Sequence, residues 1–69
     1  MIVVNAALSQ DKIITLLEEN NFNYVAKKGI KLIFETEKDE NIAKEEAKAL
    51  IKNSSFGSAL YFNVEVTEG

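Results

Sequence analysis

Residues 22–36, FNYVAKKGIKLIFET, decide how this chain is read. Two alternating runs flank Lys27-Lys28-Gly29: Phe22, Tyr24 and Ala26 share one face of the first, and Ile30, Leu32 and Phe34 share one face of the second. A period of two residues belongs to a half-buried strand. A glycine between two such runs supplies the positive φ that a tight connection demands. The stretch therefore predicts a β-hairpin, and the segments on either side read as layers laid against it.

Upstream, residues 2–7 (IVVNAA) form a short apolar run rich in β-branched side chains, which predicts a strand. It is apolar on both faces for most of its length, as suits a central position. Asn5 breaks the pattern and shares a face with Val3. Ser9 then reads as the N-cap of a helix over residues 9–20, with Asp11 in the first turn and Ile13, Ile14, Leu16 and Leu17 as its apolar stripe. Glu18 and Glu19 oppose the helix dipole at the far end, so that end is expected to fray.

Downstream, Thr36-Glu37-Lys38-Asp39 has the pattern of a capping box with Thr36 as the cap. It opens a helix over residues 38–52 in which Ile42, Ala43, Ala47, Leu50 and Ile51 recur at helical spacing and Glu40–Lys44 forms a favourable pair. Asn53-Ser54-Ser55-Phe56-Gly57-Ser58 is a polar turn cluster. Residues 60–66 alternate again, with Leu60, Phe62, Val64 and Val66 inward and Tyr61, Asn63 and Glu65 outward. Thr67-Glu68-Gly69 reads as tail.

The order is β-α-β-β-α-β, two β-α-β units interleaved about a hairpin, and this is the pattern of the ferredoxin-like α+β fold. Right-handed crossovers place both helices on one face of a four-stranded antiparallel sheet. The strands opening at Ile2 and Ile30 are expected at its centre. Sixty-nine residues allow one domain, 1–69. With no cysteine and no histidine, the chain has neither a disulfide nor the ligands of a structural zinc to staple a small core.

Composition excludes more chemistry than it suggests. Eight lysines against eleven acids, with no arginine, leave a net charge of −3, the wrong sign for a nucleic-acid footprint. RNA binding by such a sheet needs aromatic side chains on the exposed central strands, where the pattern puts Val3, Asn5, Lys31, Ile33 and Glu35. Heavy-metal transfer in this topology uses a Cys-x-x-Cys pair after the first strand, where this chain has Ala7-Leu8-Ser9-Gln10. Acyl phosphate hydrolysis and phosphohistidine chemistry need an arginine and a histidine, both absent. Serine or threonine nucleophiles would have only lysine as a base, without Ser-x-x-Lys spacing. The acids at Glu37, Asp39 and Glu40 read first as a solvated surface rather than a cation site. The first residues lack a basic segment ahead of a long apolar run, and no apolar stretch reaches membrane-spanning length. A cytoplasmic, non-catalytic protein without cofactor or metal is the expectation.

The sheet face away from the helices carries what direction remains. Val3, Val25, Ile33 and Tyr61, one from each strand, are expected to form an apolar centre ringed by Lys27, Lys31, Glu35, Asn63 and Glu65. Apolar centres with charged rims are how protein contact surfaces look. Self-association or contact with another protein is the first reading. A small-ligand site near Asn5 and Ser9 is the second, because a helix N-terminus there offers free N–H groups. In its order of elements, and in no motif, the chain resembles ACT-type regulatory domains. That resemblance implies an amino-acid ligand near the first loop, although the glycines for close approach are missing.

Overall fold

In the computed structural model, which describes residues 1–67, β1 (Ile2–Ala6) leads into α1 (Gln10–Glu18), the hairpin strands β2 (Asn23–Lys28) and β3 (Lys31–Glu35), α2 (Glu40–Lys52), a 3₁₀ turn (Gly57–Ala59) and β4 (Phe62–Val66). Glu68 and Gly69, expected as tail, lie outside the described residues. The sheet order is β2-β3-β1-β4 with all neighbours antiparallel. This is the ferredoxin-like βαββαβ arrangement, with β1 and β3 central as the sequence predicts.

Alternation along the central strands builds the core. Ile2, Val4 and Ala6 of β1 and Leu32 and Phe34 of β3 point to the helix side. There they meet Ile13 and Leu17 of α1 and Ala43, Ala47 and Ile51 of α2, all fully buried. The two alanines bring the α2 backbone close to the sheet. Ile42, expected in that stripe, is instead 64% exposed, because the buried row runs through Ala43, Ala47 and Ile51 at i, i+4, i+8 and leaves Ile42 on its flank.

The hairpin departs from its expected register in two ways. Its connection is Gly29-Ile30, not Lys27-Lys28-Gly29, and Lys28 pairs directly with Lys31. Gly29 has φ +61° and Ile30 does not, the pattern of a two-residue II′ turn. Ile30 is thus exposed at the tip, where its carbonyl accepts from the Ala6 N–H at 2.9 Å. A β-bulge also interrupts β2: Tyr24 pairs with Phe34 and Ala26 with Ile33, leaving Val25 as the extra residue. The bulge moves Ala26 off the face of Tyr24 and onto the face of Ile33. Phe22 and Tyr24 keep the core side, and the Tyr24 ring stands 5.7 Å from that of Phe34.

The helix ends differ from expectation for local reasons. Ser9 is the N-cap of α1 by position, its carbonyl accepting from the Ile13 N–H at 3.0 Å, but it takes left-handed φ 59° and ψ 29° and its side chain caps nothing. The Gln10 Nε2 does the joining, donating to the Ala6 carbonyl at 2.8 Å and the Gly29 carbonyl at 3.1 Å. At the other end Phe22 N–H donates to Leu17 O and Asn21 N–H to Glu18 O, with Asn21 at φ 70°. That is a Schellman closure, with Leu17 and Phe22, both in the core, at the positions of its apolar contact. Asp39, not Thr36, caps α2, its Oδ1 accepting from Asn41 N–H at 3.0 Å and Ile42 N–H at 3.3 Å. Thr36 Oγ1 accepts instead from the Lys38 N–H.

Two glycines answer different demands. Gly29 needs its positive φ, but a Cβ there would meet open space. Gly57 sits so close to the end of α2 that a Cβ would collide with the Ile51 carbonyl oxygen. Gly57→Ala is therefore expected to destabilise by about 3 kcal/mol and Gly29→Ala by only about 1 kcal/mol. Urea denaturation checks the order, and equal losses would contradict it.

Candidate contact surface on the open sheet face

Both helices lie on one side of the sheet, and the register defines what lines the other. Val3 pairs with Ile33 on one side and Glu65 on the other; Asn5 pairs with Lys31 and Asn63. Beyond Ile33 comes Ala26, with Val25 in the bulge beside it. The apolar part is a strip running from Val25 through Ala26 and Ile33 to Val3. Lys28, Lys31 and Glu35 bound it along β2 and β3, and Asn5, Asn63 and Glu65 along β1 and β4.

The four residues expected to form the centre are not equivalent. Val3 is only 6% exposed. Its cross-strand neighbour Glu65 reaches past it to accept from Asn5 Nδ2 at 3.0 Å. Ile33 is half-buried, and Val25 is 45% exposed. Tyr61 lies ahead of β4 rather than in it, so it does not join the strip and is 98% exposed at the end of the sheet. The face therefore brings together Val3, Val25 and Ile33, with Ala26 beside Ile33 on β2, and leaves Tyr61 outside the strip at the β4 end.

Asn5 and Ser9, singled out for a ligand, also separate. The Asn5 amide is engaged by β4, donating to Asn63 Oδ1 at 2.6 Å and to Glu65 Oε2. Ser9 stands in its left-handed bend three positions past the end of β1. A shallow cleft of about 310 Å³ does open at that end. Its walls are Asn5, Ala6, Ala7, Ile30, Tyr61, Phe62 and Asn63. The alternation placed Ile30 in a strand of the hairpin and Tyr61 on the open face of the last strand; the Gly29-Ile30 turn and the late start of β4 put both at the rim of the cleft instead.

Elsewhere a few charged groups serve the fold. Lys38 Nζ meets both Glu46 carboxylate oxygens at 2.7 Å and stands 5.2 Å from the centre of the Phe22 ring, shielding the core's edge. Of the three acids considered for a cation, Asp39 caps α2 and Glu40 accepts from the Met1 nitrogen at 2.8 Å. Among the described residues no three ligating side chains converge. No polar or charged residue is buried among them either.

Asn5 is the polar pivot of the face, and placing a charge there tests that role. Asn5→Asp would set a second carboxylate against that of Glu65. Like charges at that distance raise the folded-state pKa of the new acid, so the unfolded chain releases its proton first and stability falls as pH rises. The variant is expected to be nearest the parent below pH about 3 and to lose up to about 1 kcal/mol more above pH about 6, the window running from the ordinary carboxylate pKa to its raised folded-state value. Thermal melts across that range measure it; a pH-independent loss would mean the hydrogen bonds alone matter.

Comparison with known protein families, curated proteins and solved structures finds no match to this chain.

Proposed function

We propose that this chain acts by binding rather than catalysis, using the open sheet face as a contact surface for protein, a second copy of itself being the simplest occupant. One observation carries the reading: the two helices cover one side of the sheet and leave the other bare, with Val25, Ala26 and Ile33 in a strip between charged side chains. A surface with an apolar centre and a charged rim suits desolvation at the middle and solubility at the edge. Composition supports it as well. Without histidine, cysteine or arginine, the chain is poor in groups that serve as general acids, nucleophiles or anion clamps at neutral pH. A core of this size, unstapled, also gains from any partner that covers apolar surface.

Light scattering over a concentration series tests this on the whole chain. The parent is expected to self-associate, and Ile33→Lys, which puts a charge in the middle of the strip, is expected to weaken that association at least tenfold. Ile33→Lys behaving as the parent does would remove the face from consideration.

A ligand-binding role is the second reading, favoured by the cleft between Ile30, Tyr61 and Phe62. It is largely apolar with two asparagine amides at one side, a combination that suits a small molecule with an apolar body and one polar group. Free amino acids with apolar side chains are the first probes. A melting temperature that rises with the probe in the parent and not in Tyr61→Ala would support this role; no rise with any of them would count against it.

A further inference from the structure

The two edges of the sheet are unlike. At the β2 edge, the bulge at Val25 and the side chains of Lys27 and Lys28 spoil a template for another strand. The β4 edge has none of these protections. Residues 62–66, FNVEV, carry no lysine and no proline, and their pairing with β1 runs from Ile2↔Val66 to Ala6↔Phe62 without a shift.

The direction of the β4 backbone groups follows from one pair. Thr67 N–H donates to Met1 O at 2.9 Å and Met1 N to Thr67 O at 2.8 Å, so Met1 and Thr67 exchange both bonds. Antiparallel ladders alternate such pairs with non-bonded ones. Glu65 and Asn63 therefore aim their N–H and C=O groups at β1. Phe62, Val64 and Val66 aim theirs outward, along the free edge.

We infer that the β4 edge pairs antiparallel with β4 of a second copy, about a twofold axis through Val64, joining two sheets into one of eight strands. In that register Val64 faces its own counterpart, and Phe62 faces Val66 of the other chain. These are the residues whose backbone groups point outward, so every one of them finds a donor or acceptor. On the helix side the register sets apolar against apolar, and Val66, 39% exposed in one chain, gains cover. On the open side it sets Asn63 against Glu65. Those two form non-bonded pairs, whose Cα atoms approach to about 4.5 Å, the closer of the two spacings. Asn5 already occupies Asn63 Oδ1, which leaves the Asn63 Nδ2 to donate to the carboxylate across the axis. Centring the axis on Glu65 would oppose two carboxylates, and centring it on Phe62 or Val66 would shorten the ladder. The pairing does not depend on the sheet face being a contact surface.

A ladder of five residues is smaller than the roughly 800 Å² per partner of a standard stable interface, so the equilibrium shows at high concentration. The decisive experiment is amide hydrogen exchange by NMR on the full chain, at low and high concentration. The amides of Phe62, Val64 and Val66 are expected to exchange at least tenfold more slowly in the concentrated sample, while those of the β2 edge stay unchanged. Val66→Pro removes one outward N–H from each chain without touching the β1 ladder, and is expected to abolish the protection; Val66→Lys serves if the proline variant fails to fold. Ile33→Lys should leave the protection intact, which separates this pairing from a contact through the face. Unchanged exchange at all three amides, or protection that survives in the folded Val66 variant, would overturn it.

Discussion

Everything in this molecule depends on one apolar interlayer. Ile2, Val4, Leu32 and Phe34 on the sheet meet Ile13, Leu17, Ala43, Ala47 and Ile51 on the helices, and a chain with no cysteine has no disulfide to reinforce the contact. The layer is thin, so the chain closes its margins with local devices. Phe22 fills the space where α1 turns into β2, held by the Schellman closure and shielded by Lys38. Gln10 fastens the other end, binding carbonyls from β1 and from the hairpin tip with one amide group. Each device converts a backbone polar group at the rim of the core into a satisfied one, which a core this small requires.

The face opposite this layer is governed by its polar pairs as much as by its apolar strip. Asn5, Asn63 and Glu65 form a chain of side-chain hydrogen bonds across β1 and β4, beside Val3, which pairs with Glu65 and is nearly buried. The apolar surface left for contact is consequently displaced toward β2 and β3, where the bulge exposes Val25. A bulge on an edge strand thus has two effects here. It spoils the edge for pairing, and it turns an apolar side chain outward beside Ile33.

The topology was legible because it rests on period. The strands of residues 2–6 and 31–35 and the stripes of both helices repeat at 2 or 3.6 residues, and burial enforces those repeats. What escaped was decided by single hydrogen bonds and turn geometry. Val25 shifts the register by one position, and no composition marks a bulge in NYVAKK. Ile30 looked like a core residue because it falls in phase with Leu32 and Phe34; a two-residue turn took it instead. Ser9 and Asp39 are both good caps by residue type, and only the backbone angles distinguish them. The candidate surface inherits these errors: Val3, Val25 and Ile33 share the face, but Tyr61 belongs to the end of the sheet.

The pairing of Ile2 with Val66 carries a consequence for how the chain reaches this state. The hairpin β2–β3 closes across two residues, whereas β1 and β4 meet only after a loop of nearly the whole domain has been drawn together, and long closures are slow. Until β4 arrives, the outer edge of β1 is a bare template of Ile2, Val3 and Val4, apolar on both sides and unguarded by charge. The interval between making the hairpin and docking the last strand is therefore the period in which this protein is most prone to aggregate. Conditions that slow the final docking lengthen that exposure even when they leave the folded state equally stable.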